Sequence, residues 1–396
     1  MILAGGQGSR LNALAWHRAK PAVPFAGIHR LIDFTLSNAA NSGLMRVGIL
    51  TQYLPLSLMD HIGTGGSWDM SARTRECRIL PPNEGASAKD WYLGTAHAIA
   101  MNEDFIRQGR EKEMLILSGD HIYHMDYRGM IDFHRRKQAD FTVATMPVPL
   151  SDAHRFGIAI TDTDNRIVDF QEKPSEPRGT LGSMGIYIAE SDAVIGRIRE
   201  LIQDGKTDIG GDLVPSLIED SRVFAYPFQG YWRDVGTLDS YWDCSMDLIY
   251  PQTSGLGIST WNMRTNLYAS KHHERAPTVF GTRAIVSDSF ISQGCRIEGR
   301  VVRSVLSPGV SVEKDAVVVD SVLFDDTRVG EGSLLRRTIT DKASTIGRNV
   351  RIEPGPEDPV NSEFSKHLYC GLVLIGNRSV IPDSARLGGN CLVYPG

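Results

Sequence analysis

The chain has 396 residues, with 42 Lys plus Arg against 47 Asp plus Glu, a net charge of −5, and 41% apolar residues. That length suits two or three domains at about 150 residues each, every one with enough apolar content for its own core. The near-neutral balance excludes general nucleic-acid coating, though not a local basic pocket, and no apolar run approaches the roughly 18 residues of a membrane span.

In chain order, Ile2 to Ala4 reads as a short apolar strand entering a glycine-rich turn. Gly5, Gly6, Gln7 and Gly8 interrupt any apolar stretch, so no secretory leader is expected at this start. Arg46–Thr51, Met114–Ser118 and Phe141–Met146 read as buried strands, while Thr95–Ile106 and Tyr127–Gln138 have helical spacing. Alternation of this kind predicts an α/β, Rossmann-like domain over residues 1–250 with a mostly parallel sheet, whose ligands bind beyond the carboxyl ends of the strands. Residues 251–277 lack periodicity and read as a linker.

From Thr278 the helical pattern is gone. Aliphatic residues recur at six-residue steps: Ile285, Ile291, Ile297; Leu306, Val312, Val318; Val317, Leu323, Val329, Leu335; Ile346, Ile352; Ile375, Ile381, Leu387, Val393. Such a period predicts a left-handed parallel β-helix over residues 278–396, with Gly355–His367 looping out. The five cysteines, Cys77, Cys244, Cys295, Cys370 and Cys391, are scattered without a C-x-x-C pair and read as reduced thiols of a cytoplasmic protein.

The chemistry-bearing motifs lie in the first domain. In LAGGQGSRL, Gly5, Gly6 and Gly8 can turn backbone N–H groups toward a phosphate chain, and Arg10 adds a permanently charged bidentate donor. The stretch lacks both G-x-G-x-x-G spacing and a G-K-[ST] ending, which disfavours a dinucleotide fold and a Walker-type ATPase. In RAKPAVP, Lys20 is fixed between turn-forming segments and suits an anionic leaving group. In LSGDHIY, Asp120 follows a buried strand, where a carboxylate can hold Mg2+ against triphosphate oxygens; His121 reads as structural. Asp234 in YWRDVGT is a second candidate metal ligand, and in FQEKP Glu172 suits sugar hydroxyls and Lys173 a phosphate.

Taken in this order, the motifs resemble nucleotidyltransferases that make nucleotide-sugars. RAKPAVPF, RLIDFTLSNAANSG, TQY, WYLGTA, SGDHIYHMDY, MPVP, EKP, SMGIY and YWRDVGT narrow the resemblance to the glucose-1-phosphate adenylyltransferase family. The resemblance implies attack of glucose 1-phosphate on the α-phosphorus of ATP, giving ADP-glucose and pyrophosphate for glycogen or α-glucan synthesis. It implies Gly5, Gly6, Gly8 and Arg10 at the triphosphate, Lys20 at the leaving pyrophosphate, and Asp120 and Asp234 on Mg2+. Gln52, Gly94 and Thr95 would lie near the nucleotide, and Tyr92, Gly157, Glu172, Lys173 and Ser183 would hold glucose 1-phosphate. Trp91 falls on a loop that links effector to nucleotide in the family.

Three departures stand out by the same comparison: Leu93 where Arg or Lys is common, His97 where Asp is common, and His17 where relatives carry an activator-binding lysine. Relatives also enter the first strand from several residues earlier, whereas only Met1 to Ala4 precede the glycines here, which reads as a trimmed or late start. The β-helix, with its free end and flat faces, predicts a homo-oligomer, by resemblance a tetramer. A small-molecule effector and a related partner subunit are both compatible with the sequence. The alternatives are a non-catalytic regulatory subunit, a pyrophosphorylase for another nucleotide-sugar, and an acyltransferase. The retained charges at Arg10, Lys20, Asp120, Lys173 and Asp234 argue against the first. The long α/β domain, and a β-helix whose one histidine, His367, lies in the irregular loop, argue against the last.

Overall fold

The computed structural model describes residues 1–82, 91–109, 111–269 and 274–396. Its first half is built on a ten-stranded sheet. Ile2–Leu3 lies between Arg46–Leu50 and Glu113–Ser118 and is parallel to both, and Arg75–Leu80 continues the parallel block. The inner three, Ile2–Leu3, Arg46–Leu50 and Glu113–Ser118, are rich in Ile, Leu and Val, as largely buried parallel strands are, while Arg75–Leu80 is only partly buried. The long strand Leu181–Glu190 then reverses the pattern, pairing antiparallel with Glu113–Ser118, Phe141–Pro147 and Gly157–Thr161. The sheet is therefore mixed, with its parallel part ending at the glycine turn.

The expected helix over Thr95–Ile106 forms as two pieces, Thr95–Ala100 and Glu103–Arg107, because Asn102 leaves the helical region and starts the second piece. Tyr127–Arg136 is a single helix whose N-terminus is capped by Asp126, its carboxylate accepting from the Arg128 N–H.

The first strand pairs only through Ile2 and Leu3. The Met1 ammonium donates to the Leu115 carbonyl at 2.7 Å, and burial pushes its pKa down to about 5. A cavity of about 280 Å³ is lined in part by Met1, Ile2, Arg46, Val47, Phe105, Met114 and Leu115.

The segment after Tyr250 is tied down. Trp261 Nε1 donates to Asn38 Oδ1 at 2.5 Å, the Arg264 N–H to Ser37 Oγ at 3.0 Å, and Asn266 Nδ2 to the His61 carbonyl at 2.8 Å. Residues 270–273 of the expected linker lie outside the described residues.

The second half winds through three parallel sheets of six short strands each, the left-handed β-helix expected from the aliphatic period. Successive coils stack Val312 on Val329 on Ile346, 17 residues apart, so the inward steps run six, six and five rather than a strict six. That shorter step puts Val317 out of phase: Val318 is fully buried and Val317 points outward, stacked between Arg300 and Leu334. Ile285 shares this outer column and is 57% exposed. Residues between Ile352 and Val373 leave the coil, as the break in the pattern predicts.

The two halves share a core. Val305, Val322, Ile339 and Leu374 of the β-helix pack in one cluster with Leu11, Leu14, Val23, Phe25 and Phe34. Arg18 crosses the same junction to pair with Asp341 through two contacts of 3.0 Å, both side chains buried.

Candidate active site

A cavity of about 330 Å³ opens where the parallel strands end. Its wall includes nine of the residues expected at the site: Arg10, Lys20, Thr95, Asp120, Gly157, Glu172, Lys173, Ser183 and Asp234.

The glycine turn is shaped for close approach. Gly8 has φ +66°, and a Cβ there would come 2.9 Å from the Lys20 Cβ, so a side chain would push the Lys20 segment away. Gly5 packs on Gln52, where a Cβ would lie 3.2 Å from the Gln52 Cβ. Arg10 follows on an exposed turn.

Lys20 begins a short turn with Pro21 and is only 6% exposed. Its Nζ lies 2.8 Å from Asp120 Oδ2 and 3.3 Å from Asp234 Oδ1. Burial works against the ammonium charge, but the two carboxylates outweigh it and raise the Lys20 pKa. Burial likewise opposes ionisation of both aspartates. Lys20 and then His121 overcome it, holding Asp120 and Asp234 below the usual carboxylate range. Both are therefore ionised at neutral pH, and Ser118 Oγ adds a hydrogen bond to Asp120.

Two distant stretches meet here because His121–Tyr123 pairs antiparallel with Trp232–Asp234, setting His121 opposite Asp234. His121 is not a remote structural residue. Its Nε2 stands 3.7 Å from one oxygen of each aspartate, and its Nδ1 faces the Met184 carbonyl at 3.1 Å. The Trp232 ring packs edge-on against it at 5.4 Å.

On the other side, Gly157 faces Glu172 in an antiparallel ladder. A Cβ at Gly157 would sit 2.4 Å from the Phe170 ring, so only glycine lets that ring close under Glu172. Lys173 Nζ pairs with Glu172 Oε1 at 2.6 Å. The Gly185 N–H donates to Ser183 Oγ at 3.3 Å, across an irregularity in the Leu181–Glu190 strand. Thr95 Oγ1 donates to Asp208 Oδ2 at 3.0 Å and accepts from the Ile209 N–H at 2.8 Å, tying a helix start to the cavity wall.

Gly5, Gly6, Gly8, Gln52, Gly94 and Tyr92 stand outside that wall. Tyr92 is turned inward and 8% exposed; its hydroxyl donates to the Leu80 carbonyl at 3.0 Å and accepts from Asn102 Nδ2 at 3.0 Å. Gln52 Nε2 donates to the Tyr92 carbonyl at 3.2 Å, and a Cβ at Gly94 would lie 2.5 Å from the Thr207 carbonyl oxygen. Trp91 is 57% exposed with its ring 6.0 Å from that of Tyr53. Two of the departures meet each other: the Leu93 N–H donates to His97 Nδ1 at 3.2 Å, and neither residue lines the cavity. Tyr187 and Trp232, inside the SMGIY and YWRDVGT motifs but given no role there, also line it, as do Arg155 and Asp208, which carried no signal in a local motif.

Two ionised carboxylates converging on one cation make a fitting seat for a hard divalent ion, which takes one or two carboxylates and completes its shell with water and phosphate. Among the described residues no cluster of three or more His, Cys, Asp or Glu side chains forms a closed metal cage. Among them, too, no helix is long and apolar enough to cross a membrane.

The model of the nucleotidyl transferase family matches residues 1–250, and that of the GlmU-like C-terminal hexapeptide family matches residues 276–375. A glucose-1-phosphate adenylyltransferase of Bacillus cereus is 44% identical over 366 residues, covering 91% of this chain and 96% of its own. One from Thermotoga neapolitana is 42% identical over 405 residues, covering 100% of this chain and 93% of its own. With the nucleotidyl transferase domain, the β-helix and matches of 42–44% identity along nearly the full length in agreement, the chain belongs to the glucose-1-phosphate adenylyltransferase family.

Proposed function

We propose that the protein joins ATP and glucose 1-phosphate to give ADP-glucose and pyrophosphate. The observation that carries this reading is the convergence of Lys20, Asp120 and Asp234 beyond the glycine turn, with Glu172 and Lys173 across the same cavity. In the reaction a sugar-phosphate oxygen bonds to the α-phosphorus while the bond to the pyrophosphate oxygen breaks. Both reactants are anions, so the protein's part is positioning and charge neutralisation. Backbone N–H groups of the glycine turn and Arg10 hold the triphosphate. Lys173 holds the sugar phosphate and Glu172 the sugar hydroxyls. Lys20 offsets charge on the departing pyrophosphate. Asp120 and Asp234 would hold Mg2+, which supplies Lewis-acid polarisation of the phosphate oxygens.

Cytoplasmic location, a role in glycogen or α-glucan synthesis, control by a small effector and assembly as a homotetramer belong to the same proposal. Exposed Val279, Phe280 and Ile285 on the first coil support burial against another subunit. Pyrophosphate release with Mg2+ and glucose 1-phosphate, run in parallel with ATP, UTP, GTP and dTTP, tests the activity. Release with ATP alone is expected. Release with another nucleotide overturns the choice of base, and no release from a folded oligomer overturns the enzyme reading.

A further inference from the structure

Eight charged side chains besides His121 line the cavity: Arg10, Lys20, Arg155 and Lys173 against Asp120, Glu172, Asp208 and Asp234. Most are already matched. Lys20 is held by both catalytic aspartates, Lys173 by Glu172, and Asp208 by the Thr95 hydroxyl and the Gly211 N–H. Arg155 is the least committed of the half-buried cations. Its nearest ion-pair contact among the described residues is Asp234 Oδ2 at 3.9 Å, beyond hydrogen-bond reach, with the side chain 26% exposed. It ends a short turn, Ala153–Arg155, with its guanidinium carbon 5.7 Å from the centre of the Phe156 ring.

We propose that Arg155 is a substrate-binding residue, its guanidinium receiving the phosphate of the sugar phosphate beside Lys173. This rests on the activity proposed above. The chain order places Arg155 on that side: it leads directly into Phe156 and Gly157, Gly157 faces Glu172, and the Lys173 N–H donates to the Phe156 carbonyl at 3.1 Å. That backbone tie to the Glu172–Lys173 side favours the incoming monoester as the group a cation at Arg155 serves. A planar guanidinium gives two parallel N–H donors to phosphate oxygens, which a lysine cannot. The 3.9 Å contact with Asp234 is too long to hold the guanidinium, which is free to turn to the nucleophile. It then offsets the repulsion between the attacking phosphate and the α-phosphate.

Arg155→Ala and Arg155→Lys in the full chain test this by steady-state kinetics, with calorimetric titration of inorganic phosphate as a second arm. The alanine variant raises the KM for glucose 1-phosphate at least about tenfold and leaves the KM for ATP within about twofold. The lysine variant recovers part of the loss. Inorganic phosphate binds the alanine variant more weakly by a similar factor. An unchanged KM for glucose 1-phosphate, or an equal rise for ATP, overturns the assignment. If the wild-type protein turns over no nucleotide, the activity reading fails. The phosphate titration then still decides: equal binding to wild type and variant refutes Arg155 as a phosphate ligand. Should the alanine variant lose its native circular dichroism, Arg155→Gln takes its place.

Discussion

The Arg18–Asp341 pair joins the two halves of the chain 323 residues apart. Its two contacts are each 3.0 Å, Asp341 is fully buried, and the Arg18 side chain is 7% exposed. Asp341 also accepts from the Lys342 N–H at 2.8 Å, and Arg18 Nη1 reaches the Leu14 carbonyl at 3.4 Å. Replacing Asp341 by Ala strands a guanidinium in the joint core, a loss of about 3–5 kcal/mol. Replacing Arg18 by Met strands the carboxylate at similar cost. Replacing both, as Arg18→Met with Asp341→Leu, removes the two desolvation penalties together and should return most of the stability. Urea unfolding at neutral pH, followed by tryptophan fluorescence, measures all four species. The reasoning is refuted if either single change costs less than about 1 kcal/mol, or if the double change costs the sum of the singles.

The same cycle reads function, because Arg18 lies two residues before Lys20. Arg18 anchors the segment to the β-helix, while Lys20 reaches Asp120 and Asp234. Misplacing a reacting group by about 1 Å can cost a hundredfold in rate. Each single variant should therefore lose turnover even at temperatures where it stays folded.

Gly27→Ala should destabilise the chain by about 1–3 kcal/mol. Gly27 has φ +75°, and a Cβ there would sit 2.0 Å from Ser292 Oγ on the first coil; an unchanged thermal midpoint would contradict this. Asp33 is fully buried, with His61 Nε2 at 2.5 Å and the Arg30 N–H at 2.9 Å; burial opposes its charge, but His61 and His29 hold its pKa well below the usual range. A depressed carboxylate stabilises above its unfolded pKa of about 3.9 and loses that stability as pH falls. The stability gap between wild type and Asp33→Asn should thus narrow by about 1.4 kcal/mol per pH unit below about pH 3.9, and a constant gap would sink the argument. Asp120→Ala should keep the fold while turnover falls at least about a hundredfold; near-normal turnover would remove Asp120 from the metal seat.

Local pattern carried the β-helix because each inward residue repeats within a few positions and faces the same dry interior. It failed at Val317, where one five-residue step shifted the phase. The active-site motifs were legible one at a time, but their meeting was not. The pairing of His121–Tyr123 with Trp232–Asp234 spans more than a hundred residues, and no periodicity encodes it. His121 reads as structural until that pairing sets its ring between the two carboxylates. Tyr92 shows the opposite case: a motif position suggests a ligand, and only the fold shows that its hydroxyl has partners in Leu80 and Asn102. Arg155 had no motif at all, since a lone arginine before Phe-Gly looks like any surface cation until the cavity closes around it.

The shared core also bears on what the β-helix does for the chemistry. Leu11, Leu14 and Val23 flank Arg10 and Lys20 in sequence, and all three share one buried cluster with β-helix residues. Asp234 is braced from the same domain by another route. It leads into the helix Leu238–Asp247, where Trp242 Nε1 donates to the Asp320 carbonyl at 2.8 Å, Tyr369 donates to Asp239 at 3.3 Å, and the Arg337 guanidinium lies 4.3 Å from the Trp242 ring centre. The cationic and anionic sides of the Lys20–Asp234 contact therefore rest on the same coils of the β-helix, Val322 and Asp320 close together in one and Ile339 and Arg337 in the next, so one stack supports both sides of the proposed metal seat.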